Sequence, residues 1–502
     1  MGKTLHSILC VICLMAVVTA TVQRCGRPDN QGLTYYVDAD GGDDGNDGLS
    51  AKRPFRSLDK VNGLQLKPGD CIRLKSGCRW IGQLRPQGSG LENAPIRLTR
   101  YGKGDLPVID QDTLSGAVLQ LRNQDCWEIS EIELNGGTAK PTEVVAGIAV
   151  EATTVGRVLK HIIIKDCIIR NTLGTVKKYE SAAIWVGVPG WNDDYGLTTG
   201  YDGLLIENNR IYGSDRCGII VWTTAGPGKT SEFQPGLIPS RNVIVRNNYM
   251  EDIGGDAILV LGSDAPLIER NTVKRCCLKT GDPAYGDGYN VCSAAIWLHH
   301  CEKGIMQYNA VYDCVKQPEN NDGLAYDFDY NCNECILQYN YSENNAGGFL
   351  LIMGPATNNV VRYNISRNDS DHVLHCAGSK DSGNLLYNNT FFIDNGASSY
   401  IVAHATFINN IFYAAGESSI HVEDKRQGDF FHNCYGGNWS GEIPDDENAV
   451  TADPMIDPES LRPGKTSPCL KEGKIIPDNG GKDFFGKKVP PDTNPDIGAV
   501  QR

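Results

Sequence analysis

A short asparagine-centred unit, repeated down the chain, limits the possible folds more than any other feature. Runs of the form apolar-x-x-Asn-x-apolar read LIENNRIY, VIVRNNYM, LIERNTV, IMQYNAV, ILQYNYS, VVRYNIS, LLYNNTF and FINNIF. Their anchors are Asn209, Asn248, Asn271, Asn309, Asn340, Asn364, Asn389 and Asn410, with Asp166 of IIIKDCII in the equivalent place one unit earlier. Successive spacings are 43, 39, 23, 38, 31, 24, 25 and 21 residues, so the base period is 21 to 25 and the longer units carry insertions. One coil of that length cannot bury its own inner face. Coils stacked at ~4.8 Å share a continuous core. Asparagine suits a fixed turn because it tolerates left-handed backbone and its amide can bond to the next asparagine of a ladder. The consensus of a leucine-rich horseshoe is absent, and so is the helical pattern that a TIM barrel needs between strands. The expectation is an all-β fold, a right-handed parallel β-helix whose central body spans about 150–440. Its hand follows from the rule for parallel crossovers.

A second strand follows each asparagine: SAAIWVG (181–187), CGIIVW (217–222), DAILVL (256–261), SAAIWLHH (293–300), LAYDFD (324–329) and GGFLLI (347–352). Extra residues at 172–202, 223–240, 278–292 and 316–322 flank this strand on both sides. Insertions of a repeat protein gather on its binding face, so the outward side of this strand is expected to floor a groove. Taking Ile184, Ile219, Ile258, Ile296 and Tyr326 as inward places Trp185, Gly187, Trp222, Trp297, His299, Asp327 and Asp329 outward. The same alternation makes Leu324 inward and Ala325 outward. Asp327 then stacks beside Trp297 and Asp329 beside His299, with Asp256 near the corner and Asp322 closing the preceding wall.

Glycoside hydrolysis needs two carboxyl groups. Asp327 and Asp329 lie at i and i+2 on one strand, ~6.6 Å apart on one side, and like charges there push one pKa upward, as an acid catalyst requires. They are the leading catalytic candidates, with Asp256 either a third acid or a turn aspartate after two glycines. Trp297, Trp185 and Trp222 are candidate sugar platforms, the last two equally readable as side-chain caps. His299, Asp322 and Glu343 are candidate substrate contacts. A His299–His300 metal pair is not expected, because adjacent strand residues point to opposite faces.

Other features fix the setting. Lys3 and the 13-residue apolar run Ile8–Ala20 read as an export signal, residues 1–20, ending in small residues. Cys25 lies just beyond, so a lipid anchor there stays open, with secretion, the periplasm or the cell surface as destinations. Export permits disulfides among the 16 of 18 cysteines outside the signal. Cysteine as a small apolar residue in stacked turns is the better reading, Cys332-x-x-Cys335 included. A net charge of −14 does not suit nucleic-acid binding. A monomer is expected, with no cofactor required.

Residues 31–110 read as an N-terminal cap leading into a solenoid over 111–440, and 441–502 as an irregular capping tail. The cap holds Asp38, Asp40, Asp43, Asp44 and Asp47 in a Gly/Asp/Asn loop. Calcium could bind there, although turn chemistry alone accounts for such residues. The stretch YYVDADGGDDGNDG…RPFRSLDKV…GDCIRLKSG resembles the N-terminal cap of bacterial secreted β-helix proteins active on carbohydrates, the pectate-lyase-like superfamily. ADPMIDPESLRPGKTSPCL…DFFGKKVPPDTNPDIGAV is similar to their C-terminal end. The resemblance implies fold, secretion and a polysaccharide or oligosaccharide substrate. It does not select a reaction, since that group mixes hydrolases, lyases and epimerases. The ordered polygalacturonase motifs are absent. Three functions follow: a glycoside hydrolase using the aspartate pair; a calcium-assisted polysaccharide lyase, in which His299 must be the base because the groove strands carry no outward Lys or Arg; or a non-catalytic glycan-binding surface protein.

Overall fold

A computed structural model describes residues 32–137, 142–189, 199–223, 238–279, 291–316, 322–423 and 427–502. The chain winds as a right-handed parallel β-helix with three faces. Among the described residues the first sheet has 16 strands, from Thr34–Val37 to Asp446–Glu447. The second has 13, from Arg79–Ile81 to Cys434–Gly437. The third has 11, from Gly116–Arg122 to Ser419–Glu423. Strands pair in parallel with their counterparts one coil on, as Ile184 pairs with Ile219 and Ile219 with Ile258. Among the described residues the one α-helix is Leu58–Asn62, whose first turn is capped by the Ser57 hydroxyl accepting from the Lys60 N–H at 3.1 Å.

The core is built from stacked columns. On the third sheet Ile148, Ile184, Ile219, Ile258, Ile296, Tyr326, Leu350, Leu374 and Ile401 follow one another coil by coil, and all are buried. β-Branched residues suit such columns because each packs on its like above and below across the pleat.

The asparagine ladder runs along the corner between the first and second sheets. Asn340 is typical. Its amide donates to Met306 O at 2.9 Å, Gln338 O at 3.0 Å and Asn364 Oδ1 at 3.0 Å. Its Oδ1 accepts the backbone N–H and the amide of Asn309. The ladder continues beyond Asn410 to Asn433 and ends on Asp446. Two details differ from the sequence reading. The left-handed backbone falls on the residue before each ladder asparagine, as at Asn208, Asn247, Arg270 and Tyr308 (φ 55–57°). Asparagine is therefore selected for its amide. Asp166 belongs to that preceding column and is bonded by Asn208, and the ladder position is Cys167, whose N–H meets Asn209 Oδ1 at 3.1 Å.

Two shorter ladders stand at the other corners: Asn359–Asn384, headed by Cys335, and Asn345–Asp369, headed by Cys314. Cysteine fills the column where each ladder starts. Replacing Asn340 with Ala orphans several buried groups at ~1–3 kcal/mol each. The expected result is a loss of at least ~3 kcal/mol in a denaturant titration, and a loss below ~1 kcal/mol would show the ladder to be dispensable.

Both flanks depart from the expected caps. The strands of residues 31–110 already belong to the sheets, since Thr34–Val37 pairs with Cys71–Lys75 and that with Ile96–Tyr101. No boundary separates cap from solenoid near residue 110. The tail does not simply close the far end. It packs lengthwise along the ladder corner, where Val489 covers Tyr339, Tyr363 and Tyr387 and Arg362 Nη1 donates to Asp478 O at 3.1 Å. Tyr339 and Tyr363 sit at the left-handed position, at φ 58° and 51°, and Tyr387 ends the strand beside them, paired with Arg362.

Candidate active site

The third sheet carries the candidate residues. Its outward columns are Trp185, Ile220, Leu259, Trp297, Asp327, Leu351, His375 and, alongside, Gly187, Trp222, Leu261, His299. Asp329 follows its strand and donates its N–H to Leu298 O at 3.0 Å, next to His299. The alternation holds from Tyr326 onward. Before it, Ala325 faces the core with Ala257 and Ala295, so the expected order of Leu324 and Ala325 fails at the strand's entry. Most of the insertions at 172–202, 223–240, 278–292 and 316–322 lie outside the described residues. Their described ends adjoin this sheet, as where Thr199 N–H meets Thr223 O at 3.0 Å and Gly323 N–H meets Ser293 O at 2.8 Å.

This outward face is not an open floor. Trp185, Trp222 and Trp297 pack with Ile220, Leu259 and Leu261 in an apolar layer of their own. Trp185 is 1% exposed, and Gly187 leaves room for its ring, since a Cβ there would meet the indole at 2.7 Å. Trp185 and Trp222 therefore act as packing, correcting their reading as sugar platforms. Trp297 is tied edge-on, its Nε1 donating to Asp256 Oδ1 at 3.0 Å.

Four aspartates meet at the end of this layer. Asp256 is fully buried and paired with Arg216 at 2.8 Å, itself 1% exposed. Burial lifts the Asp256 carboxyl to about 6, and the guanidinium opposes that rise. Asp327 is buried, with an Oδ1 that has no hydrogen-bond partner. Burial first, then the charges of Asp329, Asp322 and Asp256, push it well above the carboxylate range. Asp329 is half-buried. Burial lifts it to about 7 against the N–H of Tyr330, with Asp322 and Asp256 adding to the rise. Asp322 is half-buried and also raised by burial, with Cys292 opposing. Raised carboxyls grouped in this way are the pattern of a proton-handling site.

His299 Nε2 stands 3.7 Å from Asp329 Oδ2. Burial, then His300, holds His299 down at about 3, so its ring is neutral. His299 and His300 stack at 4.3 Å and touch through their Nδ1 atoms. The expectation of opposite faces fails because His300 has left the strand, at φ 50°. Glu343 is not part of the site. It lies on the second sheet beside Tyr312 and accepts from Tyr341 at 3.1 Å, because the asparagine turn starts that sheet and not the third one.

Arg216 was not anticipated. Its guanidinium lies over Tyr179 at 4.3 Å and donates to Cys292 O at 3.2 Å. The signal was the Gly254-Gly255-Asp256 triplet. A Cβ on Gly255 would meet Arg216 Nη1 at 2.0 Å, and one on Gly254 would meet Asp215 O at 1.9 Å. The glycines thus make the passage through which Arg216 reaches Asp256.

The N-terminal aspartates do turn chemistry. Asp43, Asp44 and Asp47 accept backbone N–H groups of Gly45, Arg56 and Leu49 at 2.8–3.0 Å. Asp38 is bonded by Lys75 Nζ at 2.7 Å.

Comparison with known proteins follows the same lines. Residues 200–391 match the right-handed beta helix region family. A lacto-N-biosidase of Bifidobacterium longum subsp. longum is 27% identical over 94% of this chain. The chain spans about a third of that relative's length, 36%. Two crystal structures of a GH136 lacto-N-biosidase from Eubacterium ramulus share the fold. One is 22% identical with a TM-score of 0.59, covering 83% of this chain and 68% of that one. The other is 23% identical with a TM-score of 0.57, covering 82% and 68%. The chain thus shares the right-handed parallel β-helix fold of these lacto-N-biosidase structures.

Proposed function

We propose that the chain is an exported glycoside hydrolase acting on an oligosaccharide that carries a lacto-N-biosyl or related unit. The observation that carries the reading is the cluster of Asp256, Asp322, Asp327 and Asp329, whose carboxyls burial holds above their ordinary range, with the charges of neighbouring aspartates adding to the rise at Asp327 and Asp329. Asp329 is the general acid: it is partly open and protonated up to about pH 7. Asp322, the other partly open carboxyl, is the nucleophile or base. Asp327, shut away between the carboxyls around it, keeps the cluster proton-rich. Asp256 is a positioning residue, pinned by Arg216 and pinning Trp297. The lyase alternative asks His299 to take a proton, and a ring held down at about 3 is a poor base. The similarity to lacto-N-biosidases supplies the substrate class.

The test is release of the aryl group from a chromogenic aryl lacto-N-bioside, with a panel of host glycans beside it. Cleavage of neutral glycans supports the reading, and products appearing only from uronic-acid polymers oppose it. The turnover number should follow a bell in pH. It should fall above about pH 7, as Asp329 loses its proton, and fall in acid as Asp322 gains one, above the ordinary aspartate value of ~3.9. A rate still climbing through pH 8 would remove Asp329 from the acid's role.

A further inference from the structure

Cys276, Cys277 and Cys314 have their sulfur atoms within 4.8 Å of one another, and all three are buried. Cys276 and Cys314 occupy one column on neighbouring coils, two residues past the paired Lys274 and Tyr312. Cys277 reaches the same point by a different route. Its backbone is left-handed, at φ 60°, as is that of Arg275 at 53°. These two reversals bracket Cys276 and fold the vicinal thiols together, 3.8 Å apart.

We infer that this corner is a structural metal site for a thiophilic divalent cation, zinc being the natural occupant, with Cys276, Cys277 and Cys314 as ligands. Zinc binds thiolates at ~2.3 Å, so two sulfurs of a tetrahedral site lie ~3.8 Å apart, the spacing of the vicinal pair. The third sulfur needs to close by less than an ångström or so. Ser293 is one source of a fourth donor. Its carbonyl lies 3.8 Å from Cys277 Sγ, and its buried hydroxyl lacks a hydrogen-bond partner. Three thiolates on a divalent cation leave one negative charge, which Arg216 faces. Loading releases the thiol protons to solvent and costs the bond from Cys276 Sγ to Gly255 O. The cation would lock two successive coils at the corner beside Asp256 and Asp322.

The full-length protein is assayed for bound zinc, and the metal-free protein is titrated with cobalt. The expected result is about one zinc per chain and, on cobalt loading, a thiolate-to-cobalt charge-transfer band. Cys277→Ser and Cys314→Ser should lose both signals, while Cys376→Ser, elsewhere in the core, keeps them. The cobalt titration of the unaltered chain stands even if the variants fold poorly. No band in that titration overturns the site. So does a disulfide between any two of the three cysteines, found by peptide mapping of the untreated protein.

Discussion

Changing Asp329 to Asn should lower kcat on a natural glycan at least ~100-fold, because general acid catalysis alone contributes that much. Asparagine keeps the shape and loses the proton that the departing sugar oxygen must receive. The defect should shrink on an aryl glycoside with a good leaving group, which departs without protonation. Asp322→Asn should be crippled on both substrates, since a nucleophile or base is needed whatever leaves. The pair of measurements therefore separates the two roles. Stability moves the other way. A carboxyl raised to about 7 in the folded chain binds its proton more tightly than in the unfolded one. Its contribution is fully present below ~3.9 and is lost as pH rises through about 7. Asp329→Asn should thus be at least as stable as the parent at pH 7 and above, with the difference closing in acid. A variant that is both unstable and inactive would assign Asp329 a structural role.

The second large effect is expected at Arg216. Substituting Met leaves Asp256 buried beside Trp297 without its cation, and losing one partner of a buried pair costs ~3–5 kcal/mol. Arg216→Lys should recover little. A lysine cannot stack on Tyr179 while pairing with Asp256 and donating to Cys292 O, as the planar guanidinium does. Arg216→Met combined with Asp256→Asn should recover part of the loss, because no uncompensated charge then remains. Denaturant midpoints of the three variants measure this. A single substitution costing less than ~1 kcal/mol would mean that water reaches the pair.

The fold was legible in the sequence because a solenoid repeats its instructions. The asparagine spacing named the coil length, and the register of Ile184, Ile219, Ile258, Ile296 and Tyr326 is the one the structure holds. Alignment by period alone still slipped by one residue at Asp166, where Cys167 fills the ladder column. It also misjudged Glu343, since one corner motif does not say which of the two following faces a residue joins. The acid cluster was legible in part. Asp327 and Asp329 stood out as aspartates alternating on a strand, a position that side chain disfavours. Arg216 did not, because a lone arginine in a turn looks solvated until the glycines opposite reveal its passage. The burial of Trp185 and Trp222 was hidden for a related reason. Outward from a coil does not mean outward to solvent when the outward side chains pack into an apolar layer of their own.

The central claim, hydrolysis through the aspartate cluster, is tested most directly by running the reaction in water enriched in heavy oxygen. The products of the unaltered chain and of Asp329→Asn are weighed by mass spectrometry. The account predicts one heavy oxygen in the newly formed hydroxyl, made fast by the unaltered chain and at least ~100-fold more slowly by the variant. An unsaturated product lacking the heavy oxygen, or equal rates for the two proteins, would contradict it.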